Sequence, residues 1–138
     1  MSKKIPVVPK YYPVNEKYIS RLEKIAYVPE SLKVFWAKHG SSFFNRNEHG
    51  ELMNEDAINV ILAPDEIIDI LKNADDDDLE TYTHGLPFFE RYDLCYFLIT
   101  NSGQVIDEHI GEITVIADSI DDFVSKLTED SSFYEALL

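Results

Sequence analysis

Cysteine is nearly absent: Cys95 is the only one in 138 residues. No internal disulfide and no multi-thiolate metal site can form from one thiol. Long apolar runs are missing too, and no window approaches the roughly 18–20 consecutive apolar residues of a membrane span. The basic start Met1-Ser2-Lys3-Lys4 leads into no hydrophobic stretch of the kind a signal peptide needs. With neither a signal-peptide pattern nor a span in this sequence, the cytoplasm is the expected address, and the low cysteine count is compatible with it. Glycine is scarce and scattered, at Gly40, Gly50, Gly85, Gly103 and Gly111, so no phosphate-cradling loop is present. His39, His49, His84 and His109 lack the His-x3-His and His-Glu-x-x-His spacings of zinc sites. Ser41-Ser42 lies in no nucleophile elbow. The neighbours Leu94, Tyr96 and Phe97 predict a buried, inert thiol at Cys95. These absences predict no enzyme, no metal and no cofactor.

Positive charge is the other scarcity, and it is unevenly spread. Residues 41–138 carry four Lys/Arg against 23 Asp/Glu, whereas residues 1–40 carry eight against three, within a net charge of -14. Such a field opposes nucleic-acid phosphates and anionic membrane surfaces and favours a basic partner. The same acidity also keeps a chain in solution, which is the plainer reading of net charge.

Hydrophobic residues make up 45% of the chain, enough for one ordinary domain with its own core. Pro6, Pro9 and Pro13 exclude a helix from residues 1–14, a proline-rich arm that Tyr11 and Tyr12 are placed to anchor. The domain proper is expected over 15–138. Asn15 is a natural N-cap, and Ile19, Leu22 and Ile25 or Ala26 follow at helical spacing as far as about Tyr27. Pro29 opens a second helix that places Leu32, Phe35, Trp36 and His39 on one face and ends at Gly40. Trp36 is therefore expected in the core.

Phe43 and Phe44 suggest a strand, and the residues from Asn45 to Gly50 a polar turn. The run from Ala57 to Leu62 fits a buried strand or the start of a helix. Pro64-Asp65-Glu66 opens a third helix. Asp75-Asp76-Asp77-Asp78 lacks the alternating ligands and central glycine of a calcium loop. Four adjacent like charges predict an extended, solvated loop there. The second half is dominated by strands: a short aromatic run from Leu86 to Phe89 with Pro87 at its margin, then Tyr92 to Thr100. A turn at Asn101-Ser102-Gly103, a return strand from Gln104 to Glu108 and a further strand from Glu112 to Ala117 follow. Ser119 caps a last helix facing Phe123, Val124 and Leu127 inward, and residues 131–138 add a final turn. Helices, then strands, then a helix predict the α+β class.

Several segments together resemble the SUKH superfamily. The opening helices are carried by Ile19-Ser20-Arg21-Leu22-Glu23 and by Val28-Pro29-Glu30-Ser31-Leu32-Lys33-Val34-Phe35-Trp36-Ala37-Lys38-His39-Gly40. Ala63-Pro64-Asp65-Glu66-Ile67 is similar to the middle segment of that pattern. Leu86-Pro87-Phe88-Phe89-Glu90 and the hairpin through Gly103-Gln104-Val105 are similar to its central strands. The closing strand and helix are matched by Ile116-Ala117-Asp118-Ser119-Ile120-Asp121-Asp122-Phe123, with Ile120 where phenylalanine is usual. Val28 stands where leucine is common, and Ser41-Ser42 where further glycine often follows.

This resemblance covers about residues 15–128 and implies a single domain with a twisted, largely antiparallel sheet flanked by two N-terminal helices and one C-terminal helix. It also implies a protein-binding scaffold. Bacterial members of the superfamily are mostly immunity proteins that neutralise a cognate polymorphic toxin, often a nuclease; fungal Smi/Knr-type members are regulators of cell-wall synthesis. The expected function is thus immunity against a basic toxin domain, with a non-catalytic regulatory scaffold as the alternative. The expected partner-binding surface is Asp75, Asp76, Asp77, Asp78 and Glu80, with Tyr82 as aromatic anchor and Glu90 and Asp93 adjoining. A purely solubilising loop is the competing reading of the acidic run. A free sheet edge leaves the oligomeric state open.

Overall fold

The computed structural model describes residues 4–46, 49–51 and 58–138. Met1 to Lys3 of the proline-rich stretch, two residues of the expected turn between Asn45 and Gly50, and Ala57 lie outside the described residues.

The class is α+β, as expected, with one seven-stranded sheet whose strands lie side by side in chain order. They are β1 (Lys10–Tyr12), β2 (Ser41–Phe43), β3 (Val60–Ile61), β4 (Leu86–Tyr92), β5 (Cys95–Ile99), β6 (Val105–His109) and β7 (Glu112–Ala117). Every neighbouring pair is antiparallel. Helices α1 (Glu16–Glu23) and α2 (Glu30–Lys38) fill the connection from β1 to β2. Helices α3 (Pro64–Asn73) and α4 (Asp76–Thr81) fill that from β3 to β4, and α5 (Ile120–Glu129) with a 3-10 turn (Phe133–Leu137) closes the chain.

Local chemistry sets these boundaries. The Asn15 side chain caps α1 by accepting from the Lys17 N–H at 2.9 Å, and Ser119 Oγ caps α5 by accepting from the Asp122 N–H at 3.0 Å. Glu66 reaches back to the Ala63 N–H at 3.0 Å and so secures the start of α3, relieving one of the unpaired donors at a helix N-terminus. Helix α1 ends earlier than its apolar spacing suggests, at Glu23. Gly40 terminates α2 with φ of +83°, and a Cβ there would overlap the Tyr12 carbonyl oxygen. That close approach is what lets β1 lie against β2. The proline-rich stretch thus supplies an edge strand, and the Val7 and Ser131 N–H groups, donating to Thr128 and Ile5 carbonyls, tie it to the end of the chain.

Two sheet features depart from the sequence expectation. The stretch from Tyr92 to Thr100 is not one strand: Asp93 and Leu94 form a tight turn between β4 and β5, with Leu94 at φ of +60° and 76% exposed. Pro87 lies inside the central strand β4, paired with Leu98. Its missing N–H is tolerated because the pairing is irregular between Pro87 and Phe89, the setting in which a sheet accepts proline.

The core lies between the helices and one sheet face. Phe88, Phe89, Phe97, Phe123 and Tyr134 form an aromatic cluster with ring centroids 4.8–6.3 Å apart. Trp36 is buried and its indole N–H donates to the Leu62 carbonyl at 2.9 Å, tying α2 to the end of β3. Tyr134 donates its hydroxyl to Asn59 Oδ1 at 2.7 Å, and Asn59 Nδ2 donates to the Ser131 carbonyl at 3.2 Å. The C-terminal turn is thereby pinned under the sheet.

Candidate acidic docking surface

The acidic run does not form the extended loop its charge predicts. Asp75 adopts an extended N-cap conformation and accepts the Asp78 N–H at 2.8 Å, and Asp76 to Asp78 form the first turn of α4. Four adjacent aspartates fit there for a physical reason: carboxylates at the cap and first turn take up free N–H groups and face the positive end of the helix dipole. Thr81 and Thr83 hydroxyls donate to the Asp77 and Glu80 carbonyls and hold the other end. Asp75, Asp76, Asp77, Asp78 and Glu80 are all exposed, and Tyr82 just beyond is half-buried.

The other half of the surface comes from the β4–β5 hairpin. Glu90 stands opposite Tyr96 in the register, and its Oε2 accepts the Leu94 N–H at 3.1 Å across the turn. Burial, then the Asp78 charge, push the Tyr82 phenol up to about 12. Tyr96 is pushed to about 12 as well, by burial first and then by Glu90, Asp93, Asp78 and Glu66. Burial, with Asp93 and Glu66 adding to it, raises the Glu90 carboxyl, against the opposing bond from Leu94. The structure therefore brings Asp75, Asp78, Tyr82, Glu90 and Asp93 into one electrostatic neighbourhood with Tyr96 and Glu66. Asp76, Asp77 and Glu80 share α4 but are not among the charges acting on the two tyrosines.

Sequence reasoning missed Tyr96 and Glu66. Tyr96 alternates with the core residue Phe97 and so must face the other side of the sheet, a signal that becomes usable once β5 is known to begin at Cys95. The described ion pairs join Lys33 to Glu23 and Glu30, Arg91 to Asp107, Lys126 to Asp122 and His84 to Glu108. Among the described residues, none of these pairs involves Asp75–Asp78, Glu80, Glu90 or Asp93.

A cleft of about 560 Å³ adjoins this surface, with Asp78, Tyr82, Tyr96 and Glu108 in its lining. It opens where the sheet parts. Strands β5 and β6 pair only at Leu98↔Ile106 and Ile99↔Val105, leaving Cys95–Phe97 and Asp107–His109 without mutual pairing. On the far side of Tyr82, Tyr27, Leu79 and Leu86 line a more apolar groove of about 530 Å³. Tyr27 and Leu79 are 62% and 44% exposed.

Cys95 is half-buried rather than buried, because its neighbour Leu94 points outward at the hairpin tip. Its sulfur lies 3.9 Å from Arg91 Nη1. The Arg91 guanidinium sits over the rings of Tyr92, Phe97 and Tyr134 at 4.9–5.2 Å. His39 packs between Tyr11 and Phe35, with centroids 4.9 and 5.0 Å away. Among the described residues, no group of three or more His, Cys, Asp or Glu side chains is arranged to hold a metal ion. No helix among them is long and apolar enough to cross a membrane.

The raised phenols give a direct optical test. Tyr82, Tyr96 and Tyr134 are all pushed to about 12, so absorbance at 295 nm is expected to show a late group of tyrosines ionising about two pH units after the exposed ones. A phenol whose folded pKa lies above its unfolded value of 10.0 contributes stability that is complete below pH 10 and lost as the pH rises towards 12. Urea stability should accordingly fall across that window. Tyr82→Phe and Tyr96→Phe should each remove one late phenol from the titration.

No protein-family model, no curated protein and no solved structure matches this chain.

Proposed function

We propose that this protein is a non-catalytic cytoplasmic docking domain, an immunity protein that binds and neutralises a cognate toxin domain bearing a basic surface. The observation that carries the reading is the convergence of helix α4 and the β4–β5 hairpin into one acidic face around Tyr82 and Tyr96. The SUKH-like sequence segments also support a protein-binding role, since the bacterial members of that superfamily are mostly immunity proteins.

The physical case rests on uncompensated charge. Burial and neighbouring acids raise Glu90, Tyr82 and Tyr96 together, as expected where negative charge outweighs the nearby cations. A basic partner relieves that repulsion on docking and is drawn in by long-range attraction. The half-buried tyrosines and the apolar groove beside Tyr82 supply contact area that charge alone does not. A nuclease groove built for phosphate has the complementary sign.

The test is co-expression with any toxin-like gene found beside this one, scoring survival and then co-purification. Survival with a stable one-to-one complex is the expected result. Cell death despite soluble expression, with no complex, overturns the pairing and favours a regulatory scaffold of the same fold.

A further inference from the structure

The cleft at the parting of β5 and β6 contains a carboxylate that the fold itself leaves unmatched. The Glu108 side chain is 10% exposed, and its nearest ion-pair partner, His84 Nε2, stands 3.9 Å from Oε2, beyond hydrogen-bonding distance. Oε2 has no hydrogen-bond partner. A buried carboxylate oxygen without a donor is costly, and such groups gain most from an arriving cation.

The surrounding residues favour one kind of cation. Tyr82 and Tyr96 line the same cleft. The register places Tyr96 and Glu108 on one sheet face, because Tyr96 and Leu98 are two residues apart, Leu98 pairs with Ile106, and Ile106 and Glu108 are two residues apart. The cleft's own guanidinium, Arg91, stacks on Phe97 and Tyr134, stands 3.9 Å from Asp107 and keeps its Nε without a hydrogen-bond partner, so it sits beside Asp107 and does not pair with Glu108. Asp107 precedes Glu108 in the strand, so their side chains project to opposite faces. Glu108 is left for an external donor, with Asp78 and Glu112 adding negative charge along the lining.

We propose that this cleft receives an arginine side chain of the protein partner, its guanidinium meeting Glu108 and lying against Tyr82 or Tyr96. A planar guanidinium stacks on aromatic rings, presents paired donors to a carboxylate and sheds water more readily than an ammonium. Fixed at the bottom of a cleft of about 560 Å³, it gives the acidic face a register that surface charges alone do not provide. The source of the arginine rests on the docking reading above; the chemistry of the cleft does not.

The experiment titrates the isotope-labelled wild-type protein with N-acetyl-arginine amide at fixed ionic strength and follows backbone amide shifts. N-acetyl-citrulline amide, equal in shape but uncharged, is the control. Saturable shifts at Tyr96, Glu108 and His109 with arginine, absent with citrulline, are expected. Glu108→Gln should weaken the arginine response about tenfold or more, while Glu129→Gln, on α5 and outside the cleft lining, should leave it unchanged. Equal responses to both probes, shifts confined to Asp75–Asp78, or full binding by Glu108→Gln would each overturn the proposal. The comparison of probes on the wild-type chain decides the matter even where Glu108→Gln folds poorly. Because the titration uses no partner, its failure strikes the cleft alone and leaves docking to the co-expression test.

Discussion

Replacing Trp36 with alanine is expected to cost about 3–5 kcal/mol of folding stability, the range found for large aromatic deletions in protein cores. The indole is 2% exposed and occupies the face of α2 that also carries Leu32 and Phe35, both buried. Its removal leaves a cavity in the core cluster that also holds Leu32, Phe35 and Leu62, and a core relaxes only partly around such a cavity. The Leu62 carbonyl also loses its 2.9 Å donor at the junction between β3 and α3. Domains of this size have total stabilities of about 5–15 kcal/mol, so one substitution removes a large fraction. The melting temperature should drop by on the order of 10–20 °C. Trp36→Phe separates the two contributions: it keeps most of the ring and loses the N–H, and should cost about 1–3 kcal/mol. Calorimetry of the two variants beside the wild type checks both. Unchanged melting of the alanine variant would disprove the packing of α2 into the core.

What could be read from the sequence was local, and what could not depended on pairing. The caps at Asn15 and Ser119, the helix opened by Pro64 and the glycine end of α2 were legible because each rests on chemistry within a few residues. The turn before Gly103 and the strand Glu112–Ala117 were legible for the same reason, their alternation and turn residues being contiguous. Strand β1 was hidden, since prolines on both sides argue against regular structure, and only the close approach permitted by Gly40 makes the pairing. The split between β4 and β5 was hidden because Asp93-Leu94 is not a glycine-bearing turn and leucine rarely occupies positive φ. The thiol of Cys95 was misread as buried for the same reason, its apolar neighbour being a turn residue. Charge misled at Asp75–Asp78: repulsion suggested a loop, but the same carboxylates are good caps for a helix start. As for the surface, Asp75, Asp78 and Tyr82 lie close in the chain, and Glu90 and Asp93 were within reach of a guess. Tyr96 and Glu108 enter through sheet register and the parting of two strands, and Glu66 through the packing of α3 beside β4, none of which a local pattern encodes.

Neutralising Asp75, Asp76, Asp77 and Asp78 to asparagine is expected to slow association with the cognate partner by roughly 10- to 100-fold at low salt, within the range attributed to electrostatic steering. Dissociation should change far less, because exposed rim charges act mainly on the encounter. The salt dependence of the on-rate should flatten in parallel, since screening can remove only attraction that is still present. The substitution suits the structure: asparagine caps helices about as well as aspartate, so position 75 can still accept the Asp78 N–H now formed at 2.8 Å. Loss of dipole complementarity in the first turn costs only tenths of a kcal/mol to about 1 kcal/mol per charge. A melting curve shows whether α4 survives. Stopped-flow or surface-plasmon kinetics at several salt concentrations then separate steering from contact. Tyr82→Ala is the complementary variant: under the proposed docking mode a half-buried aromatic at the junction of the acidic face and the apolar groove is expected in the contact itself, so its loss should raise the off-rate. Unchanged on-rates in the four-asparagine variant, with an intact melt, would remove α4 from the interface and assign its charges to solubility alone. Slowed association with an undisturbed off-rate would place α4 at the rim of the interface.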